Sequence, residues 1–466
     1  MSMLEKSASD LLGDLASGAL SAADLMDATL AQIADVNPTV NAIVALQDAE
    51  RLRAQAAAAD EATDRGPLHG LPIAVKDLVE VEGIVSTHGS PLFASHVPKT
   101  DDILAARLRA AGAILIGKTN VPEFGLGSHT FNPVYGATRN PYDLGRTCGG
   151  SSGGAAVALA TGMLALADGS DMMGSLRNPA AWNNVYGLRP TYGVVPAEPK
   201  GDTFLKQMAT LGPMARSPAD IALLLDVIAG PDPRQPHGRD YTAISPVAPA
   251  DLSGLRVGWL GDWGGAFPCE AGILDLCETG LQVFADLGAK VDPVAPPFSA
   301  DAMWDSWITL RSFLTGAGLG PLTEKGIELK DSAMWEIGRY REMTAEHVHT
   351  ASVKRSAWFE TAARLFDTYD ILVLPTAQAW PFDIDLPWPT EIEGTAMDTY
   401  HRWMQVTVPA SLIGLPALAV PAGFGAAGLP MGMQLMARQG SDARLLAIGE
   451  AYHQATEWPQ KRPPVL

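Results

Sequence analysis

GRTCGGSSGGAAVALATGMLALADGSDMMGSLRNPAAWNNVYGLRPTYG fills residues 145–193 and sets two serines in glycine-dense turns, Ser151 in GGSSGG and Ser175 in DMMGS. Glycine stands where the chain takes φ > 0 or where backbone approaches a ligand closely. Such a turn exposes a serine hydroxyl and points successive backbone N–H groups at one spot. That is the equipment for attack on a carbonyl and for holding the oxyanion that results. Other uses of a glycine-rich loop have their own spacing. A phosphate loop needs G-x-x-x-x-G-K-[ST], and no lysine follows GGSSGG. A dinucleotide fingerprint needs G-x-G-x-x-G between strand and helix, with an acid about 20 residues on. Asp171 lies near that distance, but the glycine spacing is wrong. The G-x-S-x-G nucleophile elbow is absent around both serines. Spacing alone leaves catalysis and a plain structural turn both open.

Read in order, GGSSGG, the GSD…GS-x-R-x-PA block from Gly169 to Ala180, and YGLRPTYG resemble the amidase signature family of serine hydrolases. The resemblance runs along nearly the whole chain. GPLHGLPIAVKDLVEVEG (66–83), GAILIGKTNVPEFGLGSHTFNPVYGATRNPYD (112–143), DILVLPTA (370–377), SLIGLPALAVPAGF (411–424) and GLPMGMQLMARQGSDARLLAIGEAYHQAT (428–456) match family blocks in order. Residues 200–365 match least.

The resemblance implies an α/β fold: one amidase-signature domain over residues 1–466, with a central twisted mixed β-sheet covered by helices on both faces. Within it, residues 1–65 are wrapping helices and 66–200 the catalytic signature core. Residues 300–400 are a variable helical and loop region that shapes the substrate entrance. The resemblance also implies a triad, with Ser175 as nucleophile, Ser151 as a bridging serine behind a cis peptide, and Lys76 as base. Backbone N–H groups of Met172, Met173, Gly174 and Ser175 are the implied oxyanion hole. Gly125, Leu126, Gly127, Ser128, Asn178 and Trp182 are the implied substrate contacts. No metal or organic cofactor is implied.

Lysine serves as a base only when neutral, which burial within LPIAVKD and a positive neighbourhood would favour. The competing role for Lys76 is an ordinary salt bridge with Asp77 next to it. Ser152 is expected to hydrogen-bond within its loop, and Asp171 and Arg177 to pin the nucleophile loop. The chain departs from the family in places. Met173 replaces a glycine, Asn178 follows the signature arginine, and Trp182-Asn183-Asn184 stands where many members have an aromatic residue and then Cys-Gly. Members that use glutamine hold its ammonium with an acid a few residues before the Gly414-Leu415-Pro416 block, where this chain has Met404.

The implied activity is hydrolysis of the C–N bond of aryl or aliphatic amides and anilides, through an acyl-enzyme on Ser175, releasing ammonia or an amine. The alternatives are the glutaminase subunit of a tRNA-dependent amidotransferase, or a carbamate or ester hydrolase of the same fold. A non-catalytic binding protein would be expected to lose a triad residue, and all three are present.

Composition agrees with that class. The chain has 466 residues, 47% of them hydrophobic, enough for a large core. A net charge of −19 argues against nucleic acid or an anionic membrane as partner. The partner that the resemblance implies is a small-molecule amide substrate, with a homodimer allowed for. MSMLEKSASDLLGDL has early acids and no apolar core, unlike a secretory signal. AAVALATGMLALA (155–167) is the most apolar run; it is too short to span a bilayer and reads as a buried helix. Cys148, Cys269 and Cys277 show no metal-ligand spacing, which suits a reducing, cytoplasmic setting. Cys148 reads as a small buried side chain.

Residues 4–62 carry helical periodicity, with Ser21 as an N-cap. LPIAVKD, AILIG, LRVGWLG, ILVLPT, ALAVPA and MGMQLMA read as strands, the first delivering Lys76. GPDPRQPHGRD (230–240) and PFDIDLPWPTEIEG (381–394) read as loops. Residues 300–360 read as helices whose aromatic residues are mostly core.

Overall fold

PIAVK follows a Pro/Gly turn and forms β2 (Pro72–Lys76), buried at every position. The computed structural model describes residues 3–324, 326–327 and 329–466. β2 pairs in parallel with β3 (Ile114–Thr119), which pairs antiparallel with β1 (Ile43–Val44). A helix, α4 (Ile103–Ala110), precedes β3. Upstream lie α1 (Ala8–Ser17), α2 (Ala22–Val40) and α3 (Ala49–Glu61). Ser7, Ser21 and Asp48 cap them, each side chain accepting an N–H of the first turn. Such a cap satisfies a donor that would otherwise be orphaned.

The main sheet has eight strands. Their spatial order is β12 (Lys290–Pro293), β11 (Arg256–Trp259), β13 (Ile371–Pro375), β17 (Pro430–Met436), β16 (Ala417–Phe424), β9 (Tyr186–Arg189), β10 (Thr210–Ala215) and β8 (Leu166–Asp171). β12, β11 and β13 run parallel, and every junction beyond them is antiparallel. Small ribbons complete the strands: β4 (Phe131–Asn132) with β5 (Gly136–Ala137), β6 (Arg139–Asn140) with β7 (Asp143–Thr147), and β14 (Glu391–Ile392) with β15 (Thr395–Ala396).

Helices cover both faces of the main sheet, and β17 shows how. Successive side chains of a strand point to opposite faces. Gly432 faces Ala181 of α6 (Arg177–Trp182), and the next residue, Met433, faces Gly280 of α8 (Ile273–Asp286). On β16, Leu418 meets Gly449 of α12 (Asp442–Thr456). α7 (Pro218–Ile228) packs on β10 and accepts α1 through Asp220, which takes the N–H groups of Ala8 and Ser9.

The strand that delivers Lys76 lies apart from the main sheet. β2 belongs to the separate three-stranded sheet and abuts β8 through a hydrogen bond from Lys76 N to Asp168 Oδ1 (3.0 Å). One expectation changes: 155–167 is not one helix. α5 (Gly153–Ala160) stops before Gly162, which sits at φ +71°, and the apolar run continues as β8. A strand buried on both faces and a buried helix are equally apolar, so hydropathy did not separate them.

The 300s form α9 (Ala300–Thr323), α10 (Asp331–Glu342) and α11 (Ala345–Thr368). Trp304, Trp307 and Trp358 are buried; Phe313, Trp335 and Tyr340 are partly so, and Phe359 is exposed. Residues 230–240 are a loop, and the 381–394 segment is a loop that ends in the β14–β15 ribbon. Among the described residues, no helix is long and apolar enough to cross a membrane.

Candidate active site

Lys76 is wholly buried at the end of β2. Its Nζ donates to Ser151 Oγ (2.9 Å), Ser152 Oγ (2.8 Å) and Ser170 Oγ (2.9 Å). Burial pulls this ammonium down to about 7, against the opposing pull of Asp168 and Asp171. The surroundings are therefore acidic rather than positive, and desolvation alone lowers the pKa. Lys76 forms no ion pair with Asp77. Adjacent strand residues face opposite ways, and Asp77 turns to Lys118 (3.9 Å) and to the hydroxyl of Thr87 (2.5 Å).

The first serine loop runs from β7 into α5. The Gly150–Ser151 peptide is cis. Ser152 both accepts from Lys76 and donates its N–H to Ser175 O (3.2 Å), so it ties the two serine loops together. Cys148 is buried with its thiol pushed up to about 12 by burial, the behaviour of an inert packing residue.

The second loop follows β8. Gly174 sits at φ +82°, and a Cβ there would lie 2.7 Å from Thr407 Cγ2. Asp171 clamps the loop from below. Its Oδ1 accepts Gly174 N (2.9 Å) and Arg177 Nη2 (3.0 Å); its Oδ2 accepts Leu176 N (3.2 Å) and Arg177 Nε (3.0 Å). Arg189 adds a contact at 3.3 Å. Burial works against this carboxylate, yet Arg177 and Arg189 outweigh it and hold Asp171 below the usual range. Arg177 reaches on to Thr407 O (3.1 Å), Ser411 Oγ (2.6 Å) and Gln434 Oε1. The pinning role expected of Asp171 and Arg177 is thus what the contacts provide.

Ser151 and Ser175 open on one cavity of about 280 Å³. Gly125, Leu126, Gly127, Met172 and Met173 line it, with Leu78, Phe124, Ser170, Met404 and the α9 residues Arg311, Leu314, Thr315, Gly318 and Leu319. A second cavity of about 340 Å³ shares Met172, Ala209, Leu314 and Thr315 with it, so the two adjoin.

Four expected site residues are placed differently. Gly174 N is already donated to Asp171, which leaves Met172, Met173 and Ser175 as the N–H groups the loop can offer. Ser128, Asn178 and Trp182 do not line the cavity. Ser128 Oγ lies 2.6 Å from both Gly150 O and Asn178 Oδ1, bracing the cis-serine loop from behind. Trp182 is buried against Trp403, with ring centroids 5.6 Å apart.

Some site groups were not foreseen. Ser170 was legible in principle, because strand alternation along β8 puts Asp168 and Ser170 on one side, toward Lys76. Arg189, inside YGLRPTYG, joins the Asp171 clamp. Arg311 and Gln434 arrive from distant elements, and nothing local in their sequence marks them.

Known proteins resemble this chain along nearly its whole length. A sequence profile described as Amidase matches residues 24–446. An acylamidase of Rhodococcus erythropolis is 34% identical over 465 residues, 98% of this chain and 97% of that protein. A glutamyl-tRNA(Gln) amidotransferase subunit of a Roseiflexus species is 34% identical over 497 residues, 98% of this chain and 97% of that protein. Among solved structures, a bacterial aryl acylamidase of the amidase signature enzymes superposes with a TM-score of 0.91 at 29% identity. The match covers 98% of this chain and 99% of that one.

Proposed function

The chain belongs to the amidase family, and on that premise we propose that it is a serine hydrolase of amide C–N bonds that works through an acyl-enzyme on Ser175. The observation that carries the reading is Lys76, wholly buried, lowered to about 7 and in contact with Ser151. In this reading neutral Lys76 takes a proton from Ser151, which takes one from Ser175 as its oxygen attacks the carbonyl. The N–H groups of Met172, Met173 and Ser175 receive the oxyanion. Ser151 returns a proton to the departing nitrogen, because an amide anion is too poor a leaving group. Water then cleaves the ester, releasing a carboxylic acid and restoring the Ser175 hydroxyl.

The substrate proposed is an aryl or aliphatic amide or anilide. Leucine, phenylalanine, alanine and methionine side chains make up most of the cavity wall, and such a wall desolvates apolar groups at little cost. The similarity to acylamidases supports the same class. The amidotransferase reading asks for a carboxylate facing the α-ammonium of glutamine. Among the described lining residues there is none, and Met404 is in the wall.

Ser175→Ala should abolish both turnover of an acyl anilide and covalent labelling by a phosphonate directed at serine. Lys76→Ala should lower kcat by about 10²–10⁴. Full labelling of the Ser175→Ala protein, or glutamine outrunning anilides in kcat/KM, contradicts the proposal.

A further inference from the structure

Among the described residues that line the catalytic cavity, Arg311 alone is charged. It is 4% exposed and held on two sides. Nε donates to Glu336 Oε1 (2.8 Å), and Nη2 to the hydroxyl oxygen of Tyr400 (2.7 Å). Glu336, wholly buried, also accepts from Ser312 Oγ (2.5 Å) and from the Tyr400 hydroxyl (2.8 Å). The third edge is different. Nη1 contacts Met172 Sδ at 3.2 Å, and a thioether is a weak acceptor. A buried donor left without an oxygen acceptor is costly; the Nε of Arg189 in the Asp171 clamp is another such donor, but Arg189 does not line the cavity, whereas Arg311 does. Here the under-used edge meets the methionine that follows β8 in the nucleophile loop, at the wall of the chamber onto which Ser175 opens.

We infer that Arg311 Nη1 is a specificity-determining donor, and that it selects amides carrying a second, uncharged carbonyl on the acyl side. The inference rests on the amidase reading and narrows it. Charge decides the class of acceptor. Glu336 neutralises Arg311, so the wall presents a directed donor without a net positive charge. A ketone or amide oxygen takes that donor and displaces only a thioether contact. A carboxylate would enter an apolar chamber with its charge uncompensated, at a larger desolvation cost.

The test is a ladder of acyl p-nitroanilides with a ketone at the third, fourth or fifth acyl carbon, each paired with its methylene counterpart and with a carboxylate-terminated one. At one rung the wild type should favour the ketone over the methylene by about tenfold in kcat/KM, the effect of one well-made hydrogen bond. Arg311→Lys keeps a cation for Glu336 but loses the forked geometry, and its ketone-to-methylene ratio should fall toward one. The double variant Arg311→Met with Glu336→Gln removes both charges, so no unpaired ion stays buried, and it should flatten the ladder equally. An unchanged ratio in both variants overturns the inference, as does a preference for the carboxylate. Turnover of all anilides without any ketone preference defeats the inference alone. A wild type that turns over no amide defeats the amidase reading and the inference with it.

Discussion

A neutral lysine amine has two N–H groups to give and one lone pair to receive, and Lys76 has three hydroxyls around it. Two can accept, and the third can donate to the nitrogen, which is the contact a proton path from Ser151 needs. The protonated form could donate to all three at once. Each hydroxyl therefore favours the ammonium, and burial opposes it. Activity should rise as pH passes through about 7, where Lys76 loses its proton, and then level off. Ser170→Ala removes one acceptor of the charged form, so the rising limb should move to lower pH. A hydrogen bond to an ionised group is worth about 1.5–3 kcal/mol, or about one to two pH units. A pH–rate series on both proteins checks the direction; movement to higher pH would count against a neutral-lysine base. Lys76, Ser151 and Ser175 were legible because each sits in a local motif. Ser170 hid inside one, and Arg311 needed the tertiary fold, because Glu336 and Tyr400 belong to other parts of the chain.

Elements rather than single residues hold the Ser175 loop in place. β8 supplies Asp171, α6 supplies Arg177, β9 supplies Arg189, and β17 closes the network through Gln434. The Gln434 amide in turn donates to Pro375 O (2.8 Å) at the end of β13. Asp171→Ala would strand two buried guanidinium groups. Breaking a buried pair from one side costs about 3–5 kcal/mol, so denaturant unfolding should show a loss of that size, together with loss of labelling at Ser175. A loss below about 1 kcal/mol, the size of a surface pair, would mean that the clamp contributes little. Of the strands in this network, β8 and β9 carry too many polar and glycine positions to stand out as apolar runs, whereas β13 and β17 were readable from the short apolar runs ILVLPT and MGMQLMA. The 155–167 segment was not, because its apolar content is uniform and only Gly162 marks the switch from helix to strand.

At the scale of the molecule, buried lysines connect stability to pH. Lys76, Lys118 and Lys330 are lowered by burial to about 7, 8 and 7, against an ordinary value of 10.5. Between those limits the folded chain binds fewer protons than the unfolded one, so stability rises with pH across that window. Below about 7 the full cost of burying the charges is present. Thermal unfolding should accordingly occur at higher temperature in mildly alkaline buffer than at neutral pH. The gain should be smaller in Lys330→Met, which lacks one of the three groups; an equal gain would trace the effect elsewhere. Lys330 also donates to Leu126 O (2.8 Å), so α10 is tied to the cavity wall. The layered α/β architecture was readable from alternating helices and strands, whereas the split of Lys76 onto its own small sheet depends on pairings that no hydropathy pattern encodes. The reach of Arg177 to Ser411 and Gln434 bears on biosynthesis. A ribosome delivers Lys76, Ser151 and Ser175 early, but the partners that lock the second serine loop come late. The growing polypeptide should therefore turn over no amide until translation has passed Gln434, and a product truncated before Ser411 that keeps all three residues should be inactive too, which an assay of that truncated chain checks.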